Sequence, residues 1–393
     1  MRALLVHNHY QQPGGEDHVF ATEADLLESV GHQVERLTTH NDRIHGMSGL
    51  SLMRATLWSS SAFKEVRERV ERFRPDVVHV HNSFPLLSPA VHHAAKRAGT
   101  AVVQTLHNYR LYCAAATFHR NDAICNRCGP KQIPWPSVVH ACYRDSRLAS
   151  AGVASMLVLH RALRTWSRHV DAYIALSHAS KNKFVELGLP SDKLHVKYNV
   201  IHPDPGYEES KQDYGIFVGR LTRDKGVQTL LEALRQLSGR VPFHFVGAGP
   251  LENEVRRASE RIPGVSYLGQ RSQPEVLRLL GGARFLVIPS EWLEPFGRVV
   301  IEAFARGTPV LASNIGALRE LVTHGRTGWH FEAGDASDLV RQIREIADRP
   351  ETALEMVKHA REEYEAKHGI AANVARLEEI YARAIDVSRS SKA

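Results

Sequence analysis

Short apolar runs alternate with amphipathic stretches along the whole chain. In the first half these runs are rich in Val, Leu, Ile and Ala, do not alternate with polar residues, and span residues 2–7, 75–80, 100–106 and 172–176. Runs of this kind are typical of strands buried on both faces of a parallel sheet. The first run is followed by Gly14-Gly15 and by apolar positions spaced for a helix that ends at Gly31. The pattern predicts an α/β domain.

The same alternation restarts after residue 213. It predicts helices that begin near Gly226, Leu251 and Pro274, a further helix at 299–305, and strands at 214–218, 242–246, 265–268, 285–288 and 309–312. A length of 393 residues also favours two domains. Two consecutive arrays of this kind predict two doubly wound, Rossmann-like domains with a cleft between them.

The expected boundaries follow from the composition between the arrays. Residues 199–213 combine two prolines, a glycine and several charges, which is typical of a linker. We therefore predict an N-terminal domain at 1–198, a C-terminal domain at 214–372, and a helix at 373–393 that packs back on the first domain. Ligands of such sheets bind at the carboxyl ends of strands, so the loops there are the places to look for chemistry.

One such loop follows the predicted strand 214–218. It has the sequence G-R-L-T-R-D-K-G and places Arg220 and Lys225 beside the start of a helix. Two cations at the positive end of a helix suit a diphosphate. Taken alone, the pattern is more typical of a solvated loop.

A second loop follows the predicted strand 285–288, in the run E-P-F-G-R-V-V-I-E. Glu294 precedes a helix and Glu302 lies within it. Carboxylates accept hydrogen bonds from paired hydroxyls, such as those of a ribose or a hexose. The backbone amides of Gly297 and Arg298, at the start of that helix, favour a phosphate between the two.

Together these runs resemble a known family. E-P-F-G-R-V-V-I-E resembles the E-x7-E motif of retaining glycosyltransferases of family 4 (glycosyl transferases group 1), and G-R-L-T-R-D-K-G resembles their donor-diphosphate loop. The runs G-G-E-D-H-V-F, G-H-Q-V and F-V-G-A-G-P match the same group in kind and order, so the resemblance covers nearly the whole chain. It implies the GT-B fold, in which two Rossmann-like domains face each other across a cleft.

The resemblance also implies an activity. It is the transfer of a sugar from a UDP- or GDP-type donor to a glycan or lipid-linked acceptor with retention of configuration, in cell-surface polysaccharide or glycolipid synthesis. Glu294 is then expected to contact the donor sugar, Glu302 to hold the ribose, and Arg220 and Lys225 to neutralise the diphosphate. Arg298 departs from the leucine common in the family, and is either a third phosphate cation or a residue that faces solvent.

In the first domain the resemblance brings Gly14-Gly15 to the phosphates and His107 to the donor sugar. His107 directly follows the predicted strand 100–106, although a lone histidine among the 23 of this chain is more often a packing or surface residue. Three further candidates for the acceptor side follow a strand or lie in the loop after His107: His81, Asn82 and Arg110.

No catalytic metal is expected. Cleavage of the anomeric bond develops negative charge on the leaving diphosphate, which Arg220, Lys225 and the helix that starts at Gly297 are suited to stabilise. Transferases of the other common fold hold a metal with D-x-D, and that triplet does not occur in this sequence.

All four cysteines fall within 30 residues, in the predicted first domain. Cys113, Cys125, Cys128 and Cys142 include one C-x2-C pair, which is consistent with a structural zinc site. Free buried thiols and a redox role remain as alternatives. The surrounding loop, residues 110–145, is our candidate for acceptor recognition.

The net charge of +7 arises from the first 200 residues. This excess suits an acidic partner such as a phospholipid surface, or is a solvated basic face. Residues 148–166 form an apolar, arginine-ended segment that fits either a membrane interface or a core helix. With no secretory signal and no run long enough to span a bilayer, we expect a cytoplasmic protein, peripheral at the inner face of the membrane.

Three other functions compete with the transferase. An NAD-dependent oxidoreductase needs a third glycine after Gly247 and Gly249, where this chain has Glu252. A nucleotide-sugar epimerase of GT-B fold binds the same donor but needs no acceptor. A zinc-bearing nucleic-acid binder leaves the second half without a role, so no nucleic-acid partner is expected.

Overall fold

The computed structural model describes residues 1–12, 14–129 and 133–390. The chain divides into two compact domains. The first comprises Met1–Phe118, Asn126–Val200 and the residues from Ile370 onward, and the second comprises His119–Cys125 and Ile201–Gly369.

The first domain is built on a six-stranded parallel sheet of order β2-β1-β3-β4-β7-β8. Its strands are β1 (Arg2–His9), β2 (Gln33–His40), β3 (Val77–Asn82), β4 (Ala101–Leu106), β7 (Ala172–Ala175) and β8 (Leu194–Val196). Its helices are α1 (Gly15–Ser29), α2 (Gly49–Leu57), α3 (Ser60–Phe73), α4 (Ala90–Arg97), α5 (Trp135–Val139), α6 (Arg147–Ala162), α7 (Thr165–Arg168), α8 (His178–Glu186) and α16 (Ile370–Ser390). A hairpin of β5 (His119–Arg120) and β6 (Ala123–Ile124) lies in the loop after β4.

The second domain is also built on a six-stranded parallel sheet, of order β11-β10-β9-β12-β13-β14. Its strands are β9 (Gly215–Val218), β10 (Phe243–Val246), β11 (Val265–Gly269), β12 (Phe285–Ile288), β13 (Val310–Ser313) and β14 (Gly328–Phe331). Its helices are α9 (Val227–Leu237), α10 (Glu252–Arg261), α11 (Gln273–Gly282), α12 (Arg298–Ala305), α13 (Gly316–Leu321), α14 (Ala336–Asp348) and α15 (Pro350–His368).

The two predicted parallel arrays are confirmed, and their central strands lie within two residues of the predicted bounds. The short hairpin of β5 and β6 was not predicted, and three strands of the two parallel sheets were also missed: β2, β8 and β14. All three are edge strands. The residues of β2 are mostly half-exposed, so this strand lacks the continuous apolar run of a buried strand.

The expected linker at 199–213 is placed differently by the structure. The division falls between Val200 and Ile201, and the residues that follow pack on the second domain. Asp204 pairs with Arg361 at 2.7 Å, and Nζ of Lys211 donates to the carbonyl oxygen of Gly281 at 2.8 Å. The prolines and charges of this segment thus serve turns and ion pairs on a domain surface.

The terminal helix α16 starts at Ile370, three residues before the predicted start. It packs against β3, β4, β7 and α1 of the first domain and buries Tyr381 completely. Within the described residues, no helix is both long and apolar enough to cross a bilayer.

Candidate active site

Both sheets have a position where the strand order reverses, and ligands of doubly wound domains bind beside it. In the second domain it lies between β9 and β12, which are neighbours in the sheet. The loops that follow these strands, residues 219–226 and 289–297, carry Arg220, Lys225 and Glu294. The topology therefore brings the two loops identified in the sequence to the same edge of one sheet.

Gly226 is the residue that lets these two loops meet. It has φ of +67° and precedes α9, and a β-carbon built on it would lie 1.7 Å from the carbonyl oxygen of Pro289. Only glycine permits this approach. The contact places Lys225, the preceding residue, beside the loop that holds Glu294.

Replacing Gly226 by alanine is expected to lower the free energy of unfolding by about 1–3 kcal/mol more than the same change at Gly325. Both glycines have positive φ, so both variants carry the strain of a left-handed alanine, about 1–2 kcal/mol. At Gly325 the new methyl group meets no atom of the described residues within 4 Å. Urea unfolding of the two variants measures the difference, and equal losses would contradict the packing described for Gly226.

A second glycine turn supports the loop after β9. A β-carbon at Gly247 would lie 1.9 Å from the carbonyl oxygen of Gly219, and one at Gly249 would lie 2.6 Å from that of Leu221. The glycines of F-V-G-A-G-P therefore permit a backbone-to-backbone contact that a side chain would block. This contact fixes the main chain on both sides of Arg220, whose side chain is exposed.

Lys225 and Glu294 form an ion pair at the switch point. Nζ of Lys225 lies 2.7 Å from Oε1 of Glu294, and the hydroxyl of Ser290 donates to the same oxygen. The ammonium also lies 5.2 Å from the ring centroid of Trp292. An ammonium beside a carboxylate matches the junction of a phosphate and a sugar, because phosphate oxygens accept hydrogen bonds and sugar hydroxyls donate them.

Glu302 and Arg298 form a second ion pair, one turn apart on α12. The guanidinium of Arg298 lies 3.2 Å from Oε1 of Glu302, and the side-chain amide of Gln273 donates to that oxygen at 2.9 Å. Arg298 is only 17% exposed in its side chain, so the solvent-facing alternative does not hold. Gly297, with φ of +111°, caps this helix, whose first amides have no partner within the helix.

The first domain has its own switch point, between β1 and β3. The Gly14-Gly15 turn follows β1, and Asp17 holds it in place. Oδ2 of Asp17 accepts the Gly14 amide at 2.7 Å, and Oδ1 lies 2.8 Å from Nε2 of His7. A β-carbon at Gly15 would meet no described atom within 4 Å, so the space beside this turn is open.

The candidates for the sugar and acceptor side share one cavity of about 50 Å³ in the first domain. His81, Asn82, His107 and Arg110 all line it. The topology explains this, since β3 and β4 are neighbours and His107 directly follows β4. Nδ1 of His81 lies 3.1 Å from Nε2 of His107.

These four residues differ in what else they contact. The amide group of Asn82 is engaged by the backbone, since it donates to Asn8 at 2.7 Å and accepts the amide of Phe84 at 3.0 Å. The guanidinium of Arg110 lies over the rings of Phe84 and Tyr143, at 4.5 and 5.2 Å from their centroids. Asn82 therefore shapes the cavity, whereas Arg110 presents a cation to it.

Both histidines of the cavity are neutral at physiological pH. Burial, followed by the proximity of His79, lowers the pKa of His81 to about 3. Burial, followed by the proximity of His81, lowers the pKa of His107 well below its usual range. As uncharged rings they serve as hydrogen-bonding groups at neutral pH.

The four cysteines, our candidates for a structural zinc site, lie between β4 and α6 in the sequence. Cys128 is buried, and the other three are partly exposed. Within the described residues, no set of three His, Cys, Asp or Glu ligand atoms that lie within 4.8 Å of one another includes a cysteine. Zinc binding therefore stays a prediction.

Several residues of these sites were not identified from the sequence. Ser290 and Gln273 contact the two motif glutamates, and Asp17 anchors the first glycine turn. A carboxylate three residues after a glycine turn is a detectable capping signal for Asp17. The other two are ordinary polar residues at strand and helix ends, which carry no local signal.

Two family models match consecutive parts of the chain. The family model described as Glycosyltransferase Family 4 matches residues 8–205, and that described as Glycosyl transferases group 1 matches residues 203–363. The sulfoquinovosyl transferase SQD2 of Arabidopsis thaliana is 25% identical over 93% of this chain and 70% of its own length. An uncharacterized glycosyltransferase of Methanocaldococcus jannaschii is 29% identical over 49% of this chain, and a glycogen synthase of Mycobacterium tuberculosis is 27% identical over 74%. The chain spans 54% and 64% of the length of these last two proteins.

Solved structures agree on the fold. The sucrose-phosphate synthase of Thermosynechococcus elongatus superposes with a TM-score of 0.72 at 17% identity, over 97% of this chain and 98% of its own. The Anabaena protein HepE, in complex with UDP-glucose, superposes with a TM-score of 0.66 at 19% identity, over 97% and 100%. The fold is thus GT-B, as the sequence predicted. Since one of the two matching family models alone spans half of the sequence, the chain belongs to glycosyltransferase family 4.

Proposed function

We propose that this protein transfers a sugar from a UDP- or GDP-type nucleotide sugar to a glycan or lipid-linked acceptor. The observation that carries the proposal is the Lys225–Glu294 ion pair of 2.7 Å at the switch point of the second domain. In that arrangement Lys225 and Arg220 bind the diphosphate, Glu294 binds hydroxyls of the donor sugar, and Glu302 binds the ribose. The UDP-glucose complex of HepE supports a uridine donor.

The cations are suited to the bond that breaks. As the anomeric C–O bond lengthens, negative charge grows on the terminal phosphate, and a fixed ammonium stabilises that charge more than it stabilises the ground state. Arg298 and the first amides of α12 add positive potential nearby. Retention of configuration is part of the proposal and rests on the resemblance of the E-P-F-G-R-V-V-I-E run to the family motif.

The experiment is a reaction with UDP- and GDP-sugars in the presence of candidate glycans and glycolipids. Acceptor-dependent release of nucleoside diphosphate is expected, together with a product whose anomeric proton shows the same configuration as the donor. Release of an inverted product contradicts retention alone. Conversion of the sugar without any acceptor favours the epimerase instead.

The acceptor is expected to reach the first domain, through the cavity that His107 and Arg110 line and the loop at 110–145. A lipid-linked acceptor also needs a contact with the membrane, and the exposed apolar residues of α5 and of the start of α6 suit it. Trp135 and Val139 of α5 are 54% and 52% exposed, and Leu148 at the start of α6 is 75% exposed. The exposed arginines of the same stretch are Arg127, Arg144 and Arg147. The rest of α6 is a core helix, since Val153, Met156 and Leu157 are buried.

The triple variant Trp135→Ser, Val139→Ser, Leu148→Ser is expected to bind vesicles of phosphatidylglycerol and phosphatidylcholine at least about 10-fold more weakly than the wild type. The reason is the loss of apolar area that enters the interface. Sedimentation with vesicles measures the partition coefficient. Leu354→Ser, at a residue of the second domain that is 53% exposed, is the matched control. Equal binding by all three proteins rules out this surface.

A further inference from the structure

A chain of buried polar groups runs behind His107 in the first domain. Glu23, on α1, is 3% exposed, and its Oε2 lies 2.7 Å from Nζ of Lys197, which is also buried. Its Oε1 lies 3.1 Å from Nδ1 of His79 and 3.3 Å from Nε2 of His81. His81 in turn contacts His107, so the histidine that lines the cavity is connected to a buried carboxylate.

The charge state of Glu23 follows from these contacts. Burial alone would raise the pKa of its carboxyl, but the proximity of Lys197, His79 and His81 outweighs burial and holds that pKa well below its usual range. Glu23 is therefore an anion at neutral pH and only accepts hydrogen bonds. The nitrogen of His81 that faces it, Nε2, has to carry the hydrogen.

A neutral imidazole has one N–H and one acceptor nitrogen, so the position of the hydrogen on His81 determines its position on His107. When Nε2 of His81, 3.3 Å from the Glu23 carboxylate, carries the hydrogen, Nδ1 of His81 is the acceptor. The nitrogen 3.1 Å away, Nε2 of His107, then carries a hydrogen and donates it to His81. The remaining nitrogen of His107, Nδ1, is left with a lone pair, since the hydrogen bond of this ring found among the described residues is the one through Nε2.

We propose that Glu23 is a positioning residue that sets the tautomer of His81 and, through it, that of His107, so that Nδ1 of His107 accepts a hydrogen bond from a hydroxyl of a bound sugar. The identity of the ligand rests on the proposed function, whereas the tautomers do not. Lys197 stabilises the ionised form of Glu23. His79 is held in the same network by Tyr381 of α16 and by Thr105, each 2.8 Å away.

The arrangement selects a class of ligand group. A lone pair at Nδ1 favours O–H and N–H donors and disfavours a carbonyl or phosphate oxygen at that position. It also makes His107 a weak base, because an imidazole that stays neutral far below pH 7 holds a proton poorly. His107 therefore orients a hydroxyl and does not remove its proton.

The first test is the tautomer itself. In protein labelled with ¹⁵N-histidine, long-range proton–nitrogen spectra distinguish the two tautomers, and His81→Gln and His107→Gln assign the signals. We expect hydrogen at Nε2 of both rings in the wild type at pH 7.5. Hydrogen at Nδ1 of either ring, or a charged ring, overturns the proposal. The measurement needs no substrate, so its outcome is independent of the transferase activity.

The second test uses Glu23→Gln, whose amide presents either a donor or an acceptor to His81. We expect mixed tautomers and a kcat/KM lower by about 10–100-fold, with the KM for the donor changed by no more than about twofold. Glu28→Gln, on the exposed side of the same helix and paired with Arg36, is the matched control and should change neither. Wild-type tautomers and turnover in Glu23→Gln would overturn the role of Glu23.

A double variant distinguishes a folding defect of Glu23→Gln from an effect on the tautomers. Removing one partner of a buried pair leaves the other charge uncompensated, so Glu23→Gln combined with Lys197→Met removes both charges. This double variant is expected to recover stability and to keep the mixed tautomers and the low turnover. Recovery of full turnover together with stability shows a structural role only and overturns the proposal.

Discussion

We expect Lys225→Met to lower kcat/KM by about 100–1,000-fold, because it removes a fixed cation from the place where negative charge develops in the transition state. The methionine fills a similar volume but removes the ammonium that lies 2.7 Å from Glu294. The leaving diphosphate then loses one of its cations, and Glu294 loses the partner that orients its carboxylate. Steady-state kinetics with the natural donor measures the effect, and most of it is expected in kcat.

The matched control for this variant lies in the same loop. Arg223→Met removes a cation whose side chain is 58% exposed, two residues from Lys225. Its kcat/KM should stay within about twofold of the wild type, because exposed charges contribute little. If both variants lose the same activity, the effect comes from the overall charge of the loop and the assignment of Lys225 to the diphosphate is wrong.

The second large effect is a loss of stability in mild acid. Burial lowers the pKa of His92 to about 4, and burial lowers the pKa of His81 and of His93 to about 3. In the unfolded chain these groups titrate near 6.5. The unfolded state therefore binds more protons below that pH, and the free energy of unfolding falls as the pH decreases from about 6.5 toward 4.

The free energy of unfolding is expected to depend steeply on pH, because the contributions of the three histidines add. Each contributes up to about 1.4 kcal/mol per pH unit, so together they remove about 4 kcal/mol per unit in the middle of this range. Urea unfolding at pH 7.5, 6.5, 5.5 and 4.5 measures it. His92→Gln should reduce the slope by about 1.4 kcal/mol per pH unit, which is the contribution of one proton. His45→Gln, at an exposed position, should leave the slope unchanged. A pH-independent free energy of unfolding contradicts the neutral, buried state of these histidines.

The parallel arrays could be read from the sequence because their central strands are buried on both faces. An apolar run such as F-L-V-I at 285–288 has no polar alternative face, and the strand observed there has those bounds. The edge strand β2 could not be predicted in the same way. Gln33–His40 pairs with β1 along its whole length, yet it is half exposed and contains charged residues that resemble a loop.

The donor-side residues were predictable because strand ends are neighbours in space. Lys225 and Glu294 are 69 residues apart, and the predicted switch point was enough to expect them at one edge of a sheet. Their direct contact was not predictable, because it depends on the approach of Gly226 to Pro289. The role of Glu302 as the partner of Arg298 likewise needs the geometry of α12.

The network behind His107 was missed, although one signal for it exists. Glu23 lies four residues after Val19 and four before Leu27, both of which are buried on α1. A glutamate on the apolar face of a helix implies a buried counter-charge. Its partner Lys197 is 174 residues away, so no local pattern could identify it.

The central claim is that the second domain binds a nucleotide sugar through Lys225 and its neighbours. Thermal unfolding in the presence of UDP-, GDP- and ADP-sugars tests it most directly, because a ligand of the folded state adds about 2.7 kcal/mol of stability at 100 times its Kd. We expect at least one nucleotide sugar to stabilise the wild type, and to stabilise Lys225→Met much less at the same concentration. If no nucleotide sugar stabilises the wild type, or if the variant is stabilised equally, the claim is contradicted.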